Sequence, residues 1–217
     1  MTLTLYAHPF SSYCQKVLVA LWEKDLGFAY RHMEEPGARE ELIGRWPIGK
    51  FPVLVDGATT IVETSIIIEY LDLHYPGRMR LLPDDPAGAL EVRLLDRFFD
   101  NHVMNAAQVA VSEALRSDAD RLDEAKRRAA TALELAYGWL EQRLDGRTWA
   151  AGDHFTLADC AGAPALFYGD WVHPIGDAYP QLRGYRARLL ARPSVARAVE
   201  EARPYRGYFP LGAPDRD

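Results

Sequence analysis

The first 22 residues combine a short alternating segment with an amphipathic helix, and this unit constrains the fold more than any other stretch of the chain. Leu3, Leu5 and Ala7 alternate with residues of other types, which is typical of a β-strand. His8-Pro9 ends the strand, because the residue before a proline is driven out of the helical region. Apolar residues then recur at helical spacing: Cys14, Val17, Leu18 and Leu21. The pattern predicts a strand followed at once by a helix.

Ser11 and Ser12 stand where this helix begins. Unpaired backbone N–H groups and the positive end of the helix dipole meet at such a point, which suits it to stabilising an anion, and a thiolate is the anion we favour. A thiol with a pKa near 8.5 is only ~3% ionised at pH 7, and lowering that pKa by about two units requires ~2.7 kcal/mol. A hydrogen bond to a charged group contributes about 1.5–3 kcal/mol, so one hydroxyl suffices without a general base. The same hydroxyl can also serve only as a helix cap.

Composition excludes several classes of protein. The 217 residues are 48% hydrophobic and 26% charged, which allows a packed core in one large domain or two small ones. The net charge of −6 and the lack of a long basic stripe disfavour a nucleic-acid partner. The apolar runs are too short to cross a bilayer, and the N-terminus does not read as a signal peptide. Cys14 and Cys160 make no disulfide framework, so we expect a cytoplasmic protein without a membrane partner.

The first third of the chain alternates strand and helix patterns. Gly27 is expected to end the first helix, and Asp56-Gly57 between two strand-like segments predicts a hairpin. The further elements predicted here are a strand over 28–33, a helix over 38–46, strands over 51–55 and 59–62, and a helix over 65–74. This order indicates a small mixed sheet covered by helices.

A stretch rich in prolines and acids over 75–86 separates this part from a helical remainder. Residues 88–113 form one predicted helix, with an apolar stripe at four-residue steps made by Leu90, Leu94, Phe98 and His102. Further helices are predicted over 121–144, 157–168, 180–191 and 194–202, and the tail over 204–214 is expected to pack back as an extended strap. We therefore expect an α/β domain at 1–78, a linker at 79–86 and an all-helical domain at 87–217.

Four segments, in order along the chain, resemble the motifs of one family. Residues 11–17, Ser-Ser-Tyr-Cys-Gln-Lys-Val, are similar to the C-P-Y-C-Q-K-V site of glutaredoxins with Ser11 in place of the first cysteine. Residues 49–54 resemble a G-K-V-P-V-L segment, residues 63–71 an E-S-x-A-I-x-E-Y-L segment, and residues 155–159 an F-S/T-L-A-D segment. With a mixed domain in front and helices behind, the chain resembles cytosolic-type glutathione transferases. The resemblance implies a thioredoxin-like N-terminal domain followed by an all-α domain.

The resemblance also implies that Ser11 binds the thiolate of glutathione. Three residues compete with it. Ser12 takes the role if the loop register is shifted by one, and Tyr6 lies roughly where some classes of the family carry a thiolate-binding tyrosine. Cys14 could form a mixed disulfide with glutathione, but it falls on the apolar stripe of the helix, so we interpret it as a core residue.

The glutathione-binding residues are assigned from two of the matched segments. Phe51-Pro52 corresponds to the segment that clamps the cysteinyl unit in the family, where the proline is cis and a valine usually stands in place of Phe51. Glu63, Thr64 and Ser65 end a strand and open a helix, and they offer a carboxylate, hydroxyls and free N–H groups to the charged γ-glutamyl end. Lys50 resembles a lysine that some classes use against the glycyl carboxylate, with a solvent-exposed lysine as an equal alternative.

The electrophile is expected in the cleft between the two domains, where the family binds it. The candidate residues, for several of which core packing is an alternative, are Phe10, His102, Asn105, Tyr168 and Trp171. Thr156 and Asp159 have the spacing of a helix capping box, which we interpret as a folding element. No metal is expected, because metal-ligand spacing is lacking among His32, His74, His154 and His173.

These features predict a glutathione transferase that joins the thiol to a small electrophile by nucleophilic substitution or addition. The resemblance alone also suggests a homodimer. Three alternatives stay open: a glutathione-dependent thiol transferase or reductase that uses Cys14, a cis–trans isomerase that uses glutathione as a nucleophilic cofactor, and a non-catalytic glutathione-binding or regulatory protein of the same fold.

Overall fold

The alternating residues at the start of the chain form an inner strand of a four-stranded sheet. The computed structural model describes residues 3–77, 79–116 and 119–217, except the side chains of residues 119 and 120. The strands are β1 (Leu3–Ala7), β2 (Phe28–His32), β3 (Val53–Asp56) and β4 (Thr59–Ile61), in the spatial order β2-β1-β3-β4. β1 runs parallel to β2 and antiparallel to β3, and the predicted hairpin joins β3 to β4. The mixed sheet confirms the thioredoxin-like prediction.

Three helices belong to this sheet: α1 (Ser12–Glu23), α2 (Ala38–Arg45) and α3 (Thr64–His74). The predicted apolar stripe of α1 is fully buried, but so are Val19 and Ala20, because α1 lies between the sheet and the helical part of the chain. The prediction that Gly27 ends α1 is wrong. The helix ends at Glu23, and Asp25 takes the left-handed conformation (φ 53°) that turns the chain.

The remaining chain is helical, as predicted. It contains α4 (Pro86–Phe98), a π-helical segment (Phe99–Met104), α5 (Asn105–Ala114), α6 (Ala119–Arg143), α7 (Leu157–Val172), α8 (Pro180–Ala191), α9 (Pro193–Ala202) and a 3₁₀ helix (Arg203–Tyr208). The expected capping box at the start of α7 is confirmed, because Asp159 accepts the backbone N–H of Thr156 at 2.8 Å. None of the helices in the described ranges has both the length and the apolar character required to cross a bilayer.

The apolar stripe predicted for residues 88–113 is wrong. Leu90 and Leu94 are 68% and 52% exposed, whereas Val92, Leu95 and Phe99 form the buried face. The buried face also carries two acids, Asp96 and Asp100. Apolar periodicity alone predicts that a helix face with two acids is exposed to solvent, so it places the buried face on the wrong side. The π-helical segment then shifts the register of the residues that follow it.

Those two acids surround a buried lysine of α1. The Lys16 ammonium lies 2.5 Å from an oxygen of Asp96, 2.8 Å from Asp100 and 3.1 Å from the Ser65 hydroxyl. Ser65 donates to Asp96 at 2.7 Å and also accepts from Arg97 at 2.8 Å. This ion cluster, defined by these five residues, joins α1 and α3 to α4 and the π-helical segment.

The segment between α3 and α4 is held by a second buried ion pair. Lys24 donates to Asp72 at 2.7 Å, and the other oxygen of Asp72 accepts the backbone N–H groups of Leu81 and Leu82. The Leu81 carbonyl accepts from Leu157, so the segment is tied to α7 as well. The division of the chain at 79–86 stays a prediction.

The C-terminal tail differs in part from the extended strap that the sequence predicts. Its first residues form the 3₁₀ helix, and Phe209 is then buried against Tyr168 and Trp171. The Tyr205 hydroxyl shares a hydrogen bond with His32 Nε2 at 3.2 Å, and Tyr208 donates to Glu34 at 2.9 Å. The tail therefore packs back, as expected, and its contacts include His32 and Glu34 of the sheet-containing part of the chain.

Candidate functional site

Ser11 is the N-cap of α1, as the sequence predicts. Its backbone is extended (φ −80°, ψ 122°), and its hydroxyl oxygen accepts the backbone N–H of Cys14 over a long 3.4 Å. This bond occupies a lone pair of the oxygen and leaves the O–H free to donate. Ser11 and Ser12 both line a cavity at the helix start. The Ser11 hydroxyl and the first residues of α1 therefore border the same cavity.

The structure separates the other two candidates from this space. The Tyr6 hydroxyl donates to Glu41 of α2 at 3.1 Å, and its ring packs with Leu42 and Val53 on the opposite side of the sheet. Cys14 is fully buried, and burial raises the pKa of its thiol to about 12. A protonated thiol without solvent access is a core residue, in agreement with our interpretation of the sequence.

A polar cavity of about 170 Å³ lies beside the helix start. It is lined by most of the predicted glutathione-binding residues and by four others: Lys50, Phe51, Pro52, Glu63 and Thr64, with Tyr13, Trp46, Arg97 and Asp100. The Phe51–Pro52 peptide bond is cis, as the family resemblance implied. The lining side chains include two cations and two carboxylates, so the polar cavity matches a ligand that carries charges of both signs.

The loop before α3 presents its backbone in an unusual conformation. Glu63 is the N-cap of α3 and has a φ of 68°, which is uncommon for a residue with a side chain. Such strain is typical of ligand-binding positions. Ser65 does not line the polar cavity, because its hydroxyl is committed to the ion cluster. Only its backbone N–H, at the start of α3, remains to take part in binding.

A second, apolar cavity of about 230 Å³ adjoins the helix start. Its lining comes from the β1–α1 loop, α5, α7 and the C-terminal tail: Phe10, Ser11, Ser12, Tyr13, Met104, Ala107, Gln108, Val111, Leu115, Tyr168, Val172, Tyr208, Phe209 and Pro210. The described residues around it include no lysine, arginine, histidine or acid. This composition suits a small uncharged molecule.

The predicted electrophile-binding residues divide into three groups. Phe10 and Tyr168 line the apolar cavity, and the Tyr168 hydroxyl donates to the Phe10 carbonyl at 2.9 Å. Trp171 packs behind Phe10 and lines neither cavity. Asn105 and His102 both line a separate surface groove beside Phe98, and the Asn105 side chain accepts a hydrogen bond from the Tyr13 hydroxyl at 3.1 Å.

Sequence reasoning missed several residues of the two cavities. Tyr13 lies between Ser12 and Cys14, inside the segment that resembles the glutaredoxin site, and this position could have identified it as a site residue. Arg97 and Asp100 carried no local signal, because the predicted helix placed its apolar stripe on another face. The tail residues Tyr208 and Phe209 reach the cavity only through tertiary packing.

One group of potential metal ligands lies outside both cavities. Ligand atoms of His8, His32 and Glu34 lie within 4.8 Å of one another. However, the Nδ1 atoms of the two rings accept the backbone N–H groups of Phe10 and Glu34, each at 3.1 Å. The Nε2 atoms therefore carry the protons in the neutral rings, and His8 Nε2 donates to Glu34 at 3.2 Å. The group is a hydrogen-bonded junction between the first domain and the tail, and binding a metal through Nε2 would disrupt it.

Comparisons with known proteins agree with this arrangement. A family profile described as "Glutathione S-transferase, N-terminal domain" matches residues 5–79, and another described as "Glutathione S-transferase, C-terminal domain" matches residues 99–193. Glutathione S-transferase F7 of Arabidopsis thaliana is 27% identical over 208 residues, which cover 90% of this chain and 98% of that protein. A probable maleylacetoacetate isomerase of Vibrio cholerae is 29% identical over 214 residues, which cover 94% of this chain and 98% of that protein.

Solved structures give the same result. A glutathione S-transferase from Methylobacillus flagellatus, solved with glutathione bound, is similar with a TM-score of 0.77 and 26% identity. The similarity covers 91% of this chain and 98% of that one. The two family profiles match the sheet-containing part and the helical part in the order found here. This chain therefore belongs to the glutathione S-transferase family.

Proposed function

We propose that this protein binds glutathione in the polar cavity and that Ser11 holds its thiol as a thiolate, which attacks a small electrophile in the apolar cavity. The observation that carries the proposal is the meeting of the two cavities at the N-terminus of α1. One cavity offers charges of both signs, the other offers an apolar surface, and Tyr13 lines both. A charged tripeptide and an uncharged partner would thereby meet at the same helix start, where Ser11 lines the apolar cavity.

The polar cavity matches the charges of glutathione. The Glu63 carboxylate suits its ammonium group, and the Lys50 ammonium group suits one of its carboxylates. Asp100 and Arg97, which also pair with each other in the ion cluster, add one further charge of each sign to the lining. The free backbone N–H groups at the start of α3 supply further donors for a carboxylate. Phe51 lines the same cavity, so its backbone is available to the cysteinyl unit, which would direct the sulfur towards Ser11.

Calorimetry with reduced glutathione tests binding, and the ultraviolet absorbance of bound thiolate tests activation. Glu63→Gln should weaken binding by about 1.5–3 kcal/mol, because it removes a charged partner of the ammonium group. Glu35→Gln, at an exposed acid outside the cavities, is the matched control. Binding without a lowered thiol pKa would support the non-catalytic alternative instead, and absence of binding would overturn the proposal.

Of the two alternative activities, the site supports a cis–trans isomerase better than a thiol transferase. A thiol transferase would need a reactive Cys14, and the burial that raises its pKa to about 12 argues against that chemistry. A cis–trans isomerase is the second candidate, because the Vibrio cholerae relative is named as a probable maleylacetoacetate isomerase and two serines stand at the helix start. The substrate that this name gives is an acid, and the uncharged lining of the apolar cavity favours conjugation. Assays with maleylacetoacetate and with neutral electrophiles decide between them.

We further propose a homodimer formed through one face of α3 and α4. Ile66 and Leu73 flank Glu69 on α3, and Leu90 and Leu94 flank Arg93 on α4; all four apolar side chains are more than half exposed. Glu69 and Arg93 form a bidentate ion pair that links the two helix faces into one surface. Leu94→Glu should yield monomers in light scattering, whereas Ile43→Glu on α2 should not.

We also propose a cytoplasmic location for the protein. Its two cysteines are unpaired and buried, which is typical of proteins in a reducing compartment.

A further inference from the structure

Three tyrosine hydroxyl groups belong to the lining of the apolar cavity, and their partners differ. Tyr208 donates to the Glu34 carboxylate at 2.9 Å, and Tyr168 donates to the Phe10 carbonyl at 2.9 Å. Tyr13 donates to the side-chain amide oxygen of Asn105 at 3.1 Å. The Tyr13 hydroxyl can leave its neutral, exposed acceptor for a ligand at little cost in free energy. The other two hydroxyl groups cannot, because Tyr208 is bound to a charged carboxylate and Tyr168 to a buried carbonyl.

Tyr13 also stands at the boundary where a reaction between the two ligands must occur. Within the described part of the chain it is the one residue that lines both cavities. It follows Ser12 at the second position of α1, so its ring projects from the same helix start that presents Ser11. Its hydroxyl reaches across the cleft to the first residue of α5. A molecule held in the apolar cavity and attacked from the Ser11 side lies within the space that this side chain bounds.

We propose that Tyr13 is a catalytic residue that donates a hydrogen bond to the carbonyl oxygen of an α,β-unsaturated carbonyl compound in the apolar cavity. The proposal rests on the proposed function and adds to it both the electrophile class and a second catalytic group. The cavity supplies an apolar surface for the body of the compound. Besides the two serines at the helix start, Tyr13 supplies the one exchangeable hydroxyl donor among the described lining residues.

The step conserves atoms and charge without an added reactant. The thiolate electron pair forms the carbon–sulfur bond at the β-carbon, the electrons of the carbon–carbon double bond form a new double bond between the α-carbon and the carbonyl carbon, and the π pair of the carbonyl bond moves to its oxygen. The negative charge therefore passes from sulfur to an enolate oxygen, towards which the Tyr13 O–H turns from Asn105. The α-carbon then takes a proton from water while the carbonyl bond re-forms, and the hydroxide left behind combines with the proton that the thiol released when it ionised. Burial, followed by the charge of Asp100, raises the pKa of Tyr13, so the phenol keeps its proton at neutral pH.

Two electrophiles with the same apolar ring test this role. Benzylideneacetone develops an enolate oxygen during attack, whereas benzyl chloride only releases chloride. Tyr13→Phe should lower kcat/KM for benzylideneacetone by about tenfold or more. We expect a smaller decrease than the one that follows removal of a donor from a fully enclosed oxyanion hole, because this cavity is open to solvent. The same variant should change kcat/KM for benzyl chloride by less than about threefold. Tyr208→Phe, which removes a hydroxyl from the same cavity, should leave the ratio of the two rates unchanged.

The variant Asn105→Asp tests the same role by strengthening the hydrogen bond that Tyr13 must leave. A carboxylate acceptor would hold the Tyr13 hydroxyl more firmly, so this variant should also slow the reaction of benzylideneacetone selectively. Equal losses with both electrophiles, or no loss, in Tyr13→Phe would overturn the proposal. A wild-type protein that conjugates benzyl chloride but not benzylideneacetone would overturn it while leaving the proposed function intact. A wild-type protein that neither binds glutathione nor lowers its thiol pKa would overturn both.

Discussion

Replacing Ser11 with alanine should separate two functions of one hydroxyl. As a helix cap it accepts from Cys14 over 3.4 Å, a long bond that places its contribution to stability at about 0.5–1 kcal/mol, the lower part of the range for such caps. As a donor to a thiolate it should contribute about 1.5–3 kcal/mol, because one partner is charged. At 1.36 kcal/mol per pKa unit, its loss raises the pKa of the bound thiol by about 1–2 units.

The pH dependence of conjugation shows this shift directly. Well below both pKa values, the rate of Ser11→Ala should fall about tenfold to a hundredfold, since each pKa unit reduces the thiolate fraction tenfold. Above both values the two enzymes should react at similar rates when saturated with glutathione. The affinity for glutathione should change little below both pKa values, where the bound thiol is protonated in both enzymes, and should fall in Ser11→Ala above them by the same factor as the pKa shift. Ser12→Ala, one position further along the same turn, is the control. An unchanged thiol pKa in Ser11→Ala, or a shifted one in Ser12→Ala, would refute the assignment.

Three further predictions concern buried groups. Lys16→Met should lower the free energy of unfolding by about 3 kcal/mol in a denaturant titration, the lower end of the range for a broken buried ion pair, because it leaves two buried carboxylates with only the half-exposed Arg97 as a cation, whereas Arg93→Met should lower it by less than about 1 kcal/mol. The Cys14 thiol, whose pKa burial raises to about 12, should resist iodoacetamide at pH 8 until the protein unfolds, and Cys14→Ser should keep its conjugation activity; rapid labelling of the native protein would contradict this. Burial lowers the pKa of His8 below 6.5, so the folded state prefers the neutral ring and should lose stability as the pH falls from 6.5 through the lowered value. His8→Asn should flatten the pH dependence of Tm in that window, and His154→Asn should not.

The sequence predicts best those features that depend on local patterns. The N-cap at Ser11, the hairpin at residues 56 and 57 and the capping box at Thr156 are each decided by a few adjacent residues, and all three are present. The motif resemblance added what local chemistry does not determine, such as the cis bond before Pro52. These features are sufficient to locate the helix start and the loop before α3, and hence the polar cavity.

The prediction fails where a buried face is polar. Asp96 and Asp100 occupy core positions of α4 and the π-helical segment because Lys16 of another helix and the neighbouring Arg97 both pair with them, and no local pattern contains Lys16. The sequence pattern therefore predicts Leu90 and Leu94, on the opposite face, as core residues, although both are exposed. The same long-range dependence hid the contribution of Arg97 and of the tail residues to the cavities.

The arrangement of charges indicates that the proposed thiol activation is local. The groups that line the polar cavity or join the ion cluster beneath it carry three formal positive and three formal negative charges: Lys16, Lys50 and Arg97 against Glu63, Asp96 and Asp100. Charges that cancel over such a small region produce little net field at the sulfur of a bound tripeptide, so a lowered thiol pKa would have to come from groups in direct contact with the sulfur. The Ser11 hydroxyl and the first N–H groups of α1 are the donors placed there, and contacts at hydrogen-bond distance are far shorter than the Debye length of about 8 Å at physiological salt. A thiol pKa that rises steeply with ionic strength would therefore point to a long-range field that this balance of charges does not provide.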